Sequence, residues 1–278
     1  MGELEGSPTP RLDGLTHLVW MLVDRTIDIA GHPTWVDDRG AGDETILLLH
    51  GGLSNSGLLL DALGDALTAR YRVVSFDRRG HGRTADTDAP FHYADMATET
   101  IGVLDSVVGG RAHLVGWSDG GIVSLLVALR RPDLVDRMVV IGTNVHHDAV
   151  VPFDLDPSAP FATQIYEAYA AVSPDGGEHF GEMFERFRVM ATTEPTMTPD
   201  DLAAITAPTL VMAGDDDIIR LDHTCAMYEA LPAGRLAIAP GASHALPIEQ
   251  PALVASLILD FLASDDPPPT LMAIRRGP

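Results

Sequence analysis

The 278-residue chain predicts an α/β architecture, a mostly parallel sheet with helices on both faces and a helical insertion late in the chain. Three observations carry that expectation. Short apolar runs alternate with stretches of helical length, the pattern that buries a parallel sheet between two helix layers. A serine flanked by glycines stands between one such run and the helix after it. The alternation then breaks between residues 144 and 205, where six prolines and two aromatic-bearing amphipathic stretches take over.

Taken in order, residues 26–30 and 34–38 read as an opening antiparallel pair turned by Gly31-His32-Pro33. Thr45 to Leu49 is a buried strand, 57–70 a helix, 71–76 a strand and 95–108 a helix. Arg111 to Val115 is the next buried strand, Ile122 to Arg131 a helix, and 137–142 a strand. Beyond the interruption, Thr209 to Gly214 and Leu236 to Ala239 read as the last two strands. Parallel connections are right-handed and sites collect at the carboxyl ends of strands, so loops that follow strands belong on one edge.

The most informative loop is Gly116-Trp117-Ser118-Asp119-Gly120-Gly121, which has the nucleophile-elbow spacing G-x-S-x-G. A serine whose Oγ projects above a sheet needs a strained backbone, and the neighbouring chain passes so close that only residues without a Cβ fit. The plainer alternative is a helix N-terminus capped by Ser118. A serine hydroxyl is a poor nucleophile, so it needs a base, and the base needs a carboxylate to fix its tautomer. Gly214-Asp215-Asp216-Asp217 follows one strand, and Gly241-Ala242-Ser243-His244 follows the next. The chain order is therefore serine, aspartate, histidine.

With these residues in view, the chain resembles the α/β-hydrolase superfamily over nearly its whole length. His50-Gly51-Gly52 is similar to that family's oxyanion loop, and Asp77-Arg78-Arg79-Gly80-His81-Gly82-Arg83 to its D-x-R-G-x-G-x turn. The resemblance implies an α/β-hydrolase core over 24–143 and 206–264, a lid (cap) over 144–205, and flexible or loosely docked ends at 1–23 and 265–278. It implies Ser118, Asp217 and His244 as catalytic residues, with Asp217 favoured because the acid falls three residues after the glycine. Asp215 and Asp216 remain as turn residues or substitutes. It also implies an oxyanion hole from the N–H groups of Gly52 and Asp119. The implied reaction is hydrolysis of a small-molecule carboxylic ester through an acyl-enzyme. Dehalogenases and epoxide hydrolases of this fold carry aspartate at the elbow, where this chain has Ser118.

The elbow's Trp-Ser-Asp-Gly-Gly form resembles that of serine esterases grouped around valacyclovir hydrolase. That likeness gives the Asp119 carboxylate a reading as a substrate-ammonium site. The alternative is a negative side chain that complements a helix dipole. A lactone, amide or carbon–carbon bond needs the same triad, and a cofactor-free haloperoxidase-like activity remains open. A ligand receptor on a hydrolase fold is the non-enzyme alternative.

The other histidines divide by their position in the chain. His50 and His81 read as structural, whereas His146 and His147, after the 137–142 strand, are candidates to line the pocket, with His146 the one expected to touch substrate. In the insertion, Phe161 to Val172 and His179 to Met190 are amphipathic. Phe180, Met183, Phe184 and Phe187 fall at helical spacing. Most should seat the lid on the core, with Phe184 and Phe187 facing substrate.

Composition bounds the rest. Eighteen basic against 40 acidic residues leave a formal charge of −22, which disfavours nucleic acid and anionic membrane surfaces as partners. The single cysteine, Cys225, requires no oxidising compartment. No metal-ligand or nucleotide-cofactor motif is present, so no metal and no cofactor are expected. Leu18 to Val23 is too short to span a bilayer and follows acidic rather than basic residues, so a cytoplasmic protein is expected, as monomer or homodimer.

Overall fold

The computed structural model describes residues 25–151 and 160–263, with residue 272 beside them. The expected flexible ends, residue 272 excepted, and the apolar stretch 18–23 lie outside the described residues, as do Pro152 and Pro157. One eight-stranded sheet has the order β1-β2-β4-β3-β5-β6-β7-β8. The strands are β1 (Arg25–Ile29), β2 (His32–Arg39), β3 (Thr45–Leu49), β4 (Arg72–Phe76), β5 (Ala112–Trp117), β6 (Val135–Ile141), β7 (Thr209–Asp216) and β8 (Gly234–Ser243). Only the β1–β2 and β2–β4 pairings are antiparallel; the rest are parallel.

The opening turn differs from the expectation. Ile29 pairs with His32, so the turn is Ala30-Gly31, with φ values of 54° and 88°. Positive φ at both central residues is the two-residue hairpin geometry that matches strand twist. Pro33 sits in β2 rather than in the turn, ahead of the Val36–Arg39 stretch that pairs with β4, where its missing N–H interrupts no ladder on that side.

Alternation in β3 shows how the sheet is buried on both faces. Leu47 and Leu49 join one apolar cluster with Val74, Leu114, Ile122 and Val140. Ile46 and Leu48 join the other with Leu63, Val115, Val139 and Ile258. Successive residues point to opposite faces, so a strand covered twice reads as continuously apolar. The first face carries the helices Tyr93–Val103 and Asp119–Arg130. The second carries Pro251–Leu262 and the helical run from Ser56 to Thr68, which passes through a wider turn at Leu60–Gly64.

Between β6 and β7 the chain leaves the sheet for the helices Pro160–Ala170, Phe180–Ala191 and Pro199–Ala203. Helix Phe180–Ala191 buries Met183 and Met190. Thr198 and Asp201 cap the last helix reciprocally. The segment is tied to the core at Asp86, a side chain only 2 % exposed, which binds Arg186 at 2.8 Å and His179 at 3.0 Å. Among the described residues no helix is long and apolar enough to cross a membrane.

Candidate active site

Ser118 sits between β5 and helix Asp119–Arg130 with φ 54° and ψ −119°. For a residue with a Cβ this is a strained conformation, and the glycines around it are required sterically. A Cβ on Gly116 would stand 2.3 Å from the Gly120 carbonyl oxygen, and one on Gly120 2.2 Å from that of Leu49. A Cβ on Gly121 would overlap Thr143 Oγ1. The elbow is sharp because its neighbours leave no room for any other turn.

The strand ends bring the other predicted residues to it. Ser118 Oγ lies 3.0 Å from His244 Nε2, and His244 Nδ1 lies 2.8 Å from Asp217 Oδ1. Asp217 Oδ1 also accepts from the Ile219 N–H at 2.9 Å, and the Asp217 side chain is 1 % exposed. The Trp117 indole N–H donates to the His244 carbonyl at 2.8 Å, tying the histidine loop to the elbow. β7 runs on to Asp216, so the three aspartates separate in role. Asp215 accepts from the Gly241 and Ala242 N–H groups, Asp216 is exposed at the strand end, and Asp217 alone of the three binds His244.

Gly52 stands against Asp119: a Cβ there would be 2.6 Å from Asp119 Oδ2. Asp119 itself is buried. Its Oδ1 accepts from the Tyr93 hydroxyl at 2.9 Å, and its buried Oδ2 has no hydrogen-bond partner among the described residues. Burial pushes the Asp119 carboxyl up, and the nearby Arg78 charge opposes that shift. Burial and the Asp119 charge together hold the Tyr93 hydroxyl well above its ordinary value, so it stays protonated and donates.

A cavity of about 930 Å³ opens over Ser118 and His244, walled by Tyr93, Asp119, His147, Phe184 and Phe187 among others. The two predicted phenylalanines are there. His146 is replaced in that wall by His147, because the His146 Nδ1 accepts from the Asp148 N–H and its ring stacks on His147 at 4.5 Å. A smaller, mainly apolar cavity of about 360 Å³ lies on the far side of Phe184, between Leu53, Tyr166 and Phe180. Tyr93 carried no motif signal and Arg78 stood only at a variable position of the D-x-R-G-x-G-x turn; the fold shows that both back the site.

Among the described residues, two groups of side chains bring three metal-ligating atoms within 4.8 Å of one another, His146–His147–Asp148 and Glu44–His113–Asp136. His147 and Asp148 of the first line the larger cavity, and the second stands at the opposite, amino-terminal ends of β3, β5 and β6.

A sequence profile of the alpha/beta hydrolase family matches residues 46–257. The chain belongs to that family. This alpha/beta hydrolase is 32% identical over 258 residues to the putative carbamate hydrolase RutD of Variovorax paradoxus, covering 83% of this chain and 96% of that one. It is 25% identical over 240 residues to the serine hydrolase BPHL of Homo sapiens, with 80% of each chain covered. Among solved structures, the meta-cleavage product hydrolase CumD from Pseudomonas fluorescens IP01 superposes with a TM-score of 0.73 at 24% identity, covering 86% of this chain and 97% of that one. This last likeness is one of fold.

Proposed function

We propose that this alpha/beta hydrolase cleaves small-molecule carboxylic esters through a Ser118–His244–Asp217 triad. The observation that carries the reading is the pair of contacts at 3.0 and 2.8 Å that link Ser118 Oγ, His244 and Asp217, with the serine on a strained turn at the cavity floor. Ser118 Oγ attacks the ester carbonyl carbon while His244 Nε2 takes its proton. Asp217 holds the imidazole tautomer and stabilises the imidazolium. The N–H groups of Gly52 and Asp119 receive the developing oxyanion, where one donor is worth roughly 3–4 kcal/mol. His244 then protonates the leaving alcohol, and the acyl-enzyme is released by a water that His244 activates. The segment from 144 to 205 acts as a lid whose Phe184 and Phe187 contact substrate.

A carbamate is the second reading, favoured by the 32% identity to a putative carbamate hydrolase. Its carbonyl would meet the same nucleophile and the same oxyanion donors. The test is a series of p-nitrophenyl esters of increasing chain length, with a p-nitrophenyl carbamate beside them, on wild type and on Ser118→Ala, His244→Ala and Asp217→Asn. Each variant should keep the wild-type circular dichroism spectrum and lose at least about 10³-fold in kcat. The Ser118→Ala/His244→Ala double variant should be little worse than either single one. Substantial turnover by folded Ser118→Ala sinks the reading. A higher kcat/KM on the carbamate than on every ester moves the scissile bond and leaves the triad in place.

A further inference from the structure

We infer that Arg78 is a positioning residue for the oxyanion hole: its buried guanidinium, together with His50, clamps the carbonyl of the Gly51–Gly52 peptide and so aims the Gly52 N–H into the site. The inference rests on the serine-hydrolase reading above and adds to it a residue that no substrate would touch. Arg78 is fully buried and lines neither cavity.

Burying a guanidinium is costly, so where it donates is informative. Arg78 Nη1 donates to the His50 carbonyl at 2.7 Å, and Nη2 to the Gly51 carbonyl at 3.0 Å. The Arg78 backbone N–H donates to His50 Nε2 at 3.2 Å, which assigns the ring proton to Nδ1. That Nδ1–H donates in turn to the same Gly51 carbonyl at 2.7 Å. Burial, reinforced by the adjacent Arg78 charge, holds the His50 imidazole well below its ordinary value and therefore neutral, as this pattern requires. Two donors thus converge on one carbonyl oxygen.

The consequence follows from peptide geometry. The Gly51–Gly52 bond is trans, so a carbonyl held toward Arg78 sends the Gly52 N–H the opposite way. That peptide lies over the nucleophile: a Cβ on Gly51 would be 3.4 Å from Ser118 Cβ, and one on Gly52 would abut Asp119. Charge-assisted donation to a carbonyl also polarises its peptide unit, which makes the opposite N–H a stronger donor. Arg78 and His50 therefore both orient and strengthen a donor that matters only when negative charge appears on the substrate oxygen.

The test compares wild type, Arg78→Met, Arg78→Lys and His50→Gln on p-nitrophenyl butyrate, with a trifluoromethyl ketone as transition-state analogue and a fluorophosphonate as label for Ser118. Arg78→Met should lower kcat roughly 10–100-fold with KM changed less than about threefold, somewhat less than deletion of a whole donor. Its loss in trifluoromethyl-ketone affinity should track its loss in kcat/KM. Arg78→Lys, which keeps the charge and a donor, should recover part of both. A folded Arg78→Met with wild-type kcat overturns the inference. If Arg78→Met does not fold, wild-type kcat and ketone affinity in both Arg78→Lys and His50→Gln overturn it equally. A wild type that neither takes the fluorophosphonate nor binds the ketone overturns the serine-hydrolase reading itself.

Discussion

Asp119 illustrates how much chemistry one residue can hold at this elbow. Its backbone begins a helix, where a negative side chain is worth about 0.3–1 kcal/mol, and one carboxylate oxygen binds the Tyr93 hydroxyl. The other oxygen is buried beside Gly52 without a partner among the described residues, in the wall of the larger cavity. If a substrate ammonium displaces the packing over that oxygen, it gains a charge-assisted acceptor. An α-amino ester should therefore lose at least about tenfold more kcat/KM than its des-amino counterpart on Asp119→Ala, the differential expected of a charge-assisted contact. Equal losses on the two substrates would leave Asp119 as a helix-terminus and Tyr93-binding residue. At this scale the sequence was readable where strong constraints leave spaced residue types, as with the glycines at 116, 120 and 121. It was silent where the constraint is a long-range contact. Gly142, with φ 57°, would place a Cβ 3.0 Å from both Asp217 Oδ2 and His244 Nδ1, yet nothing in its local pattern marks it.

Among the elements, the inserted segment is the one whose placement depends most on a few polar ties. Asp86 receives Arg186 and His179 from the insertion and Arg79 from the core, while its own N–H donates to Asp175. Replacing Asp86 by alanine removes the carboxylate that receives Arg79, Arg186 and His179, at a cost of about 1–3 kcal/mol. Asp86→Ala should lower the melting temperature and raise KM for long-chain esters, while kcat on an acetate ester changes little. Cleavage by trypsin between residues 160 and 205 should quicken. An unchanged cleavage rate would mean that the apolar contacts of Met183 and Met190 seat the segment without this tie. The amphipathic spacing of Phe180 to Phe187 foretold the helix, whose Phe184 and Phe187 line the larger cavity. The anchor could not be foreseen, because residues about 100 positions apart meet only once the sheet exists. Strand bounds were legible to within a few residues except in β8, which runs from Gly234 to Ser243 through a register irregularity opposite Gly214 and Asp216.

For the whole molecule, buried neutral histidines tie stability to pH. Burial and the Arg78 charge push His81 down to about 3, and His50 is lowered well below its ordinary value for the same reasons. Burial also lowers His113 and His223. Below pH 6.5 the unfolded chain takes up protons that the folded one refuses, so stability falls from pH 6.5 toward 3, by up to about 1.4 kcal/mol per pH unit for each such group. Glu99, which burial pushes up to about 7, opposes this by one group. Urea midpoints should therefore drop steeply between pH 7 and 5. The slope should be shallower by about one proton in His81→Phe, whose ring can keep the contact with Phe91. An identical slope in that variant would assign the acid lability elsewhere.

With the proposed triad, the strand order also sets when a newly made chain could begin to work. Ser118 follows a central strand laid down before the chain is half synthesised, whereas His244 follows β8, the final strand at the sheet's edge. Until β8 docks on β7, Ser118 has no histidine beside it, and a nascent chain still short of β8 carries a hydroxyl without its proposed base. Turnover through the proposed triad would thus report completion of the sheet, and a chain cut short before Gly234 would retain seven of the eight described strands without His244.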